Sequence, residues 1–179
     1  MSKVSILQLK QYLKDLSREK LISEIIELFR KFSKVNEFYQ FKLVKNGDLD
    51  LHNKYKKIIK DEFFPNRGFG KMRLSIAKKA INDFKKICTN KYFIADLMIF
   101  YVEMGVKFTL EYGDIDESFY NSMENMYESA AQFVIKNKLK DNYLLRFKKI
   151  VSDVEDIGWG FPDTLGEIYC EYFREKVII

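Results

Sequence analysis

One stretch of the chain is apolar almost all the way round. From Tyr92 to Tyr112 it reads YFIADLMIFYVEMGVKFTLEY, and charges interrupt it only at Asp96, Glu103, Lys107 and Glu111. At about 100° per residue those four positions fall in one narrow arc, and the rest of the circumference is hydrophobic. The pattern predicts a central helix packed on most sides. Its longest charge-free run, Leu97 to Val102, is far too short to cross a bilayer.

The flanking segments are amphipathic with helical period. Ser5 to Leu16 is predicted as a short helix with Leu9, Leu13 and Leu16 on one face, and Ser5 and Gln8 have capping-box spacing. Ser17 fits the cap of a second helix with core positions Ile22, Ile25, Ile26, Phe29 and Phe32. This pair loosely resembles nucleic-acid-binding hairpins of the SAP type, although plain packing of Leu-rich helices produces the same spacing. A third helix, about 34–44, is expected to bury Phe38, Phe41 and Leu43 or Val44, and Gly47 is expected to take positive φ in the turn Lys45-Asn-Gly-Asp48. A fourth, about 49–63, turns Leu51, Tyr55, Ile58 and Ile59 inward and Lys54, Lys56, Lys57 and Lys60 outward. A fifth, about 71–88, has a seam of Leu74, Ala77, Ile81, Phe84 and Cys88.

Beyond the central helix, Gly113 fits a C-terminal cap and Asp116 the cap of the next helix. That helix, to about Asn137, offers Phe119, Met123, Met126, Tyr127, Ala130 and Val134 to the core. Another, about 141–157, offers Leu144, Phe147, Val151 and Val154. The last, from 163 or 164 to about 176, offers Leu165, Ile168, Tyr169, Tyr172 and Phe173. No segment alternates with strand period, and no fixed-period repeat is evident. The expectation is an all-α protein of about nine antiparallel helices, in an irregular bundle or a short HEAT/TPR-like array. It is read as a single domain over 1–179, with an N-terminal helical hairpin (1–45) and a main body (46–179).

Composition narrows the chemistry. Only 2 of the 179 residues are Pro, which speaks against a turn-rich all-β fold. His52 is the single histidine, so multi-His zinc sites and His-paired di-iron sites are excluded. Cys88 and Cys170 each fall inside a predicted helix, and MSKVSILQLK contains no signal-like apolar run. Reduced thiols, a cytoplasmic location, no membrane and no cofactor or metal are the expectations.

The net charge of +5 hides an uneven distribution. Residues 52–91 carry 12 basic and 3 acidic groups, while residues 92–134 carry 1 and 8. Either the two blocks pair internally, or the first presents a basic face to a polyanion.

Two loops stand out. Phe63-Phe-Pro-Asn-Arg-Gly-Phe-Gly70 packs three phenylalanines and Arg67 into eight residues. With Lys71 and Arg73 beside a helix start, it has the elements of a phosphate site, and Phe69 offers a ring for stacking. No Walker pattern is present, and core-plugging rings with solvated cations are the competing reading. Lys71, Lys78 and Lys85 recur every seven residues, as a stripe along a phosphate backbone or a soluble face. The second loop, Gly158-Trp-Gly-Phe-Pro-Asp163, holds the only tryptophan, read as a partner anchor or a buried wedge. Asp114, Asp116 and Glu117 lack EF-hand spacing, and capping explains Asp116. Asp96 and Glu103 lie two turns apart and support acid–base chemistry only if buried, with Glu103 able to pair with Lys107. His52 and the cysteines have no constellation around them.

The stretches EFFPNRGFGKMRLSIAKKAINDFKK (62–86), YVEMGVKFTLEYGDIDESFYNSMENMYESA (101–130), GWGFPDTLGEIYCEYF (158–173) and LKQYLKDLSREKLISEIIELF (9–29) resemble a family of small, uncharacterised bacterial helical proteins. The resemblance implies an all-α cytoplasmic protein and no mechanism, so no catalytic residue is carried over. The residues alone support three functions. The first is a non-enzymatic helical module binding a protein partner or a second copy of itself, marked by an exposed apolar patch. The second is a nucleic-acid binder using an open lysine stripe with Arg67. The third is a phosphate-ligand binder or enzyme, with a pocket where Arg67 or Arg73 meets Asp114, Asp163 or Tyr112. The candidate binding residues are Arg67, Phe69, Lys71, Arg73, Lys78, Lys85, Tyr112, Asp114, Trp159 and Asp163.

Overall fold

The computed structural model describes residues 3–173. Nine α-helices and no strand occur among them: α1 (Ile6–Lys14), α2 (Arg18–Lys31), α3 (Ser33–Leu43), α4 (Gly47–Phe63), α5 (Leu74–Ile87), α6 (Lys91–Tyr112), α7 (Glu117–Lys136), α8 (Lys140–Asp153) and α9 (Phe161–Phe173). The all-α expectation holds. The chain divides into two units, 1–47 and 48–179.

In the second unit α6 is the spine. Its β-branched residues make it a mediocre helix former on propensity alone, so burial holds it. Eleven of its residues are buried, from Ile94 to Thr109. Each large apolar side chain among them contributes ~1.5–3 kcal/mol relative to exposure. The Asn90 side chain accepts from Tyr92 N at 3.0 Å to start the helix. Gly113, at φ 90°, ends it by donating to Thr109 O at 2.8 Å. Asp116 caps α7, accepting from Phe119 N at 2.8 Å. Both caps are those the sequence suggests.

α6 packs against α5, α7 and α8, and α7 packs against α6, α8 and α9. Every one of these contacts joins helices one or two apart in sequence, the pattern of antiparallel helix pairs packed on their neighbours. Tyr55, Ile59 and Phe63 of α4 complete its core with Phe84, Phe147, Phe161 and Leu165. No helix among the described residues is long and apolar enough to cross a membrane.

Several boundaries differ from expectation for local reasons. α5 begins at Leu74, not Lys71, because Met72 adopts φ 49° and breaks the helical run. α8 ends at Asp153, earlier than Ile157. α9 begins at Phe161, since Pro162 is compatible with a first turn; its expected end near residue 176 lies outside the described residues. In the turn before α4 the positive φ falls on Asn46, at 61°. Gly47 is needed instead for close approach, because a Cβ there would sit 2.2 Å from Gln40 O.

The first unit departs most. α2 packs on α3, and the Phe29 and Tyr39 rings meet at 6.1 Å. Yet Leu9, Ile22, Ile25, Ile26, Phe29, Phe32, Leu43 and Val44, all expected inward, are exposed.

The α6–α7 seam offers a direct check. A Cβ on Gly105 would lie 2.2 Å from the Met123 sulfur. Gly105→Val is expected to destabilise the protein by about 1–3 kcal/mol through overpacking. Met123→Ala in the same chain should recover part of that loss, read by urea unfolding as a coupling between the two sites.

Candidate functional site

The first Phe-rich loop is pinned at both ends. Gly70 folds back on the end of α4 so closely that a Cβ there would sit 2.1 Å from Phe63 O, which only glycine allows. Met72 N donates to Glu62 O at 2.8 Å. The buried Glu62 carboxylate accepts from Arg73 Nε at 3.0 Å, Arg73 Nη2 at 2.8 Å and Arg73 N at 3.2 Å. The sequence places a phosphate beside this helix start; a carboxylate of the chain itself already occupies Arg73 and the cap position.

All three phenylalanines of the loop converge on the C-terminal turns of α6. Phe63 meets Phe108 at 6.3 Å and Tyr101 at 5.8 Å. Phe64 stacks on Tyr112 at 6.2 Å, and Lys107 lies 4.9 Å over the Phe64 ring. Phe69 meets Phe108 at 5.5 Å and Tyr112 at 4.8 Å. Phe63 is buried, but Phe69 keeps 62% of its surface exposed and Tyr112 47%.

The second loop arrives at the same end of α6. Phe161 is buried and packs on Tyr120 at 4.9 Å. The Tyr120 hydroxyl donates to Asp114 Oδ1 at 2.8 Å. Asp114 in turn lies against Gly158, where a Cβ would be 3.0 Å from its Oδ2. Burial, then the Asp114 bond, push the Tyr120 hydroxyl pKa up. Trp159 sits at φ 66°, a left-handed conformation that costs a non-glycine residue roughly 1–2 kcal/mol. Its ring is 6.5 Å from Tyr120 and 59% exposed, so the buried-wedge reading fails. Two loops some ninety residues apart thus flank the segment from Tyr112 to Asp114 and leave three rings facing solvent.

The remaining sequence candidates scatter. Arg67 and Lys71 are exposed, and Lys71 lies outside α5. Lys78 and Lys85 are half-buried on α5. Lys85 lies 5.8 Å from the Phe133 ring centre, and burial lowers its pKa. The lysines at 71, 78 and 85 therefore do not form one open stripe. Asp163 is exposed in the first turn of α9.

A second cluster was partly missed. Asp96 and Glu103 project from α6 toward Arg146 of α8, a residue the sequence pattern does not single out. Arg146 binds Glu103 through Nε–Oε1 and Nη2–Oε2, both at 2.7 Å, and binds Asp96 through Nη1. Asp96 Oδ2 also accepts from His52 Nε2 at 2.7 Å and Lys56 Nζ at 3.1 Å. His52, to which the sequence gives no role, is buried and stacks on Phe93 at 4.6 Å. Glu103 pairs with Arg146 and not, as expected, with Lys107. Burial pushes the Asp96 carboxyl up, but His52, Arg146 and Lys56 outweigh it and hold the group well below the usual carboxylate range. The cluster leaves one polar atom, His52 Nδ1, buried without a hydrogen-bond partner. A groove of about 270 Å³, floored by Met104, Leu110 and Ile150, runs beside it. The basic and acidic blocks thus pair at Lys56–Asp96, while Arg146, which lies outside both, takes Asp96 and Glu103. No group of three or more His, Cys, Asp or Glu suited to a metal ion occurs among the described residues.

Because the folded-state pKa of Asp96 lies below its unfolded value, its contribution is complete above about pH 4 and is lost as pH falls through the folded value. Wild type should therefore lose stability on acidification, and Asp96→Asn should flatten that limb in urea midpoints taken between about pH 2 and 7. Arg146→Leu should cost roughly 1–3 kcal/mol near neutrality, since it removes both donors from Glu103 and one from Asp96, which keeps His52 and Lys56.

No curated protein and no solved structure matches the chain. A family model matches residues 1–172, which takes in α1–α8, all but the last residue of α9, and both aromatic loops. The chain belongs to the family of unknown function DUF6155.

Proposed function

We propose that this chain is a non-enzymatic helical binding module whose partner is a protein, engaged at the aromatic corner of Phe69, Tyr112 and Trp159. One observation carries the reading: Trp159 is held in a strained left-handed conformation and is nonetheless 59% exposed. A core wedge would gain burial in return for that strain. An exposed tryptophan gains nothing until a partner desolvates it, and Trp and Tyr dominate the energetics of protein interfaces. Phe69 and Tyr112 supply further exposed apolar surface at the same end of α6, and both loops are anchored by buried Phe63 and Phe161. The rings are therefore already placed, which lowers the entropy lost on docking. The nucleic-acid reading is weaker, because Lys56, Arg73, Lys57 and Lys86 of the basic block have carboxylate partners within the chain.

Photo-crosslinking residues placed at 69 and 159 test this in native extract, with exposed Leu145 as the control position. One protein should be captured at both sites and not at 145. Binding of that purified protein should weaken about 10- to 100-fold in Phe69→Ser and in Trp159→Ser. Capture equal to the control overturns the reading. So does DNA or RNA binding that weakens steeply between about 50 and 200 mM salt and is lost in Lys71→Glu/Lys78→Glu.

A further inference from the structure

Residues 3–47 form three helices without an apolar core. α1 and α2 bury no residue, and α3 buries only Glu37. The helices are nonetheless well specified. Ser5 and Gln8 close a capping box, Ser17 caps α2 and the Tyr12 hydroxyl donates to Glu24 across the α1–α2 turn. Caps contribute ~1 kcal/mol each, and helices shorter than about 15 residues are marginal in water without tertiary burial. Yet thirteen large apolar side chains of this unit are exposed, from Phe29 at 39% to Leu43 at 78%. Leaving so much apolar surface in water opposes folding of these helices, and covering it supplies the missing stability.

We propose that the occupant is a second copy of this chain, docked antiparallel along α2 in a two-fold interface. Charge sets the direction. A shallow groove of about 580 Å³ on α2 carries Glu19 at its N-terminal end, Ile22 and Ile26 in the middle, and Arg30 and Lys31 at its C-terminal end. Lys31 is paired with Glu27 within the helix. An antiparallel second copy brings its Arg30 to Glu19 and its Glu19 to Arg30, a contact that two-fold symmetry makes twice. A parallel copy opposes like charges at both ends and aligns the helix dipoles unfavourably. Area sets the scale. The exposed apolar side chains of all three helices together present on the order of 1,000 Å², so a standard interface of ~800 Å² per partner draws on α1 and α3 as well as α2. The 48–173 part has its own buried core, with nine large apolar side chains exposed. Fold-back of α1–α3 onto that part of the same chain is the competing occupant.

The two are separated by concentration. Sedimentation velocity on the full chain, from about 1 to 100 μM, should show a species of twice the chain's 21.4 kDa. Ile22→Asp/Ile26→Asp should raise the dimer dissociation constant by about 100-fold or more. Glu19→Arg alone and Arg30→Glu alone should each weaken it about 10-fold. Both reversals in one chain should restore the wild-type value, which only the antiparallel pairing allows. Trp159 fluorescence reports that each variant keeps its second unit folded. A monomer throughout the range overturns the proposal in favour of fold-back or another partner. A dimer indifferent to Ile22 and Ile26 overturns it as well, and failure of the double reversal overturns the antiparallel arrangement. Phe69→Ser should leave the dimer intact, so this outcome is independent of the aromatic corner.

Discussion

The second unit depends on one constraint: a helix buried almost all round must dispose of the few charges it carries. α6 does so by gathering Asp96 and Glu103 on one stripe and meeting both with the guanidinium of Arg146. A planar group with five donors can bridge carboxylates two turns apart, which a lysine ammonium cannot do in the same geometry. The bridge ties α8 to α6 in one register, since sliding by a residue would rotate one partner away by about 100°. His52 and Lys56 tie α4 to the same point. Three helices are keyed to Asp96, and the apolar packing around them follows from that alignment.

The same helix organises the aromatic corner. Its last turns bring Phe108 and Tyr112 under the first loop, and the chain that leaves it through Gly113 brings Asp114 under the second. The interior halves of the loops, Phe63 and Phe161, are core. The exterior halves, Phe69 and Trp159, are surface. One element therefore provides both the stability of the fold and the platform on which exposed rings are held.

The periodicity of α4–α7 was legible in the sequence because burial and pattern agree there, whereas α8 buries Tyr143 and Ile150 in place of the expected Leu144 and Val151, and Ile168, Tyr169 and Tyr172 of α9 are only half-buried. Leu51, Tyr55, Ile59, Ala77, Ile81, Phe84, Met123, Tyr127, Val134 and Phe147 are all inward as their spacing implies. The caps at Gly113 and Asp116 follow from glycine's backbone freedom and a short side-chain acceptor, both acting within a few residues. What was not legible required distance. Arg146 reads as one more cation until α8 lies beside α6, and His52 reads as isolated until Asp96 is 2.7 Å away. Arg73 looks like a phosphate ligand until Glu62 claims it. In α2 the pattern is that of a buried face, yet Ile22 and Ile26 are exposed, because amphipathicity states that a face wants covering without saying by what.

Three helices whose stability must come from outside their own fold have a consequence for how the protein behaves in time and dose. Local opening free energies range from near zero to the global value, and a coreless unit lies at the low end. Whatever binds its folded form adds stability as the logarithm of that ligand's concentration over its dissociation constant. For a unit covered by its own kind, that ligand is the protein itself. On the proposed pairing, the folded fraction of residues 3–47 becomes a readout of abundance, while the 48–173 part rests on its own buried core.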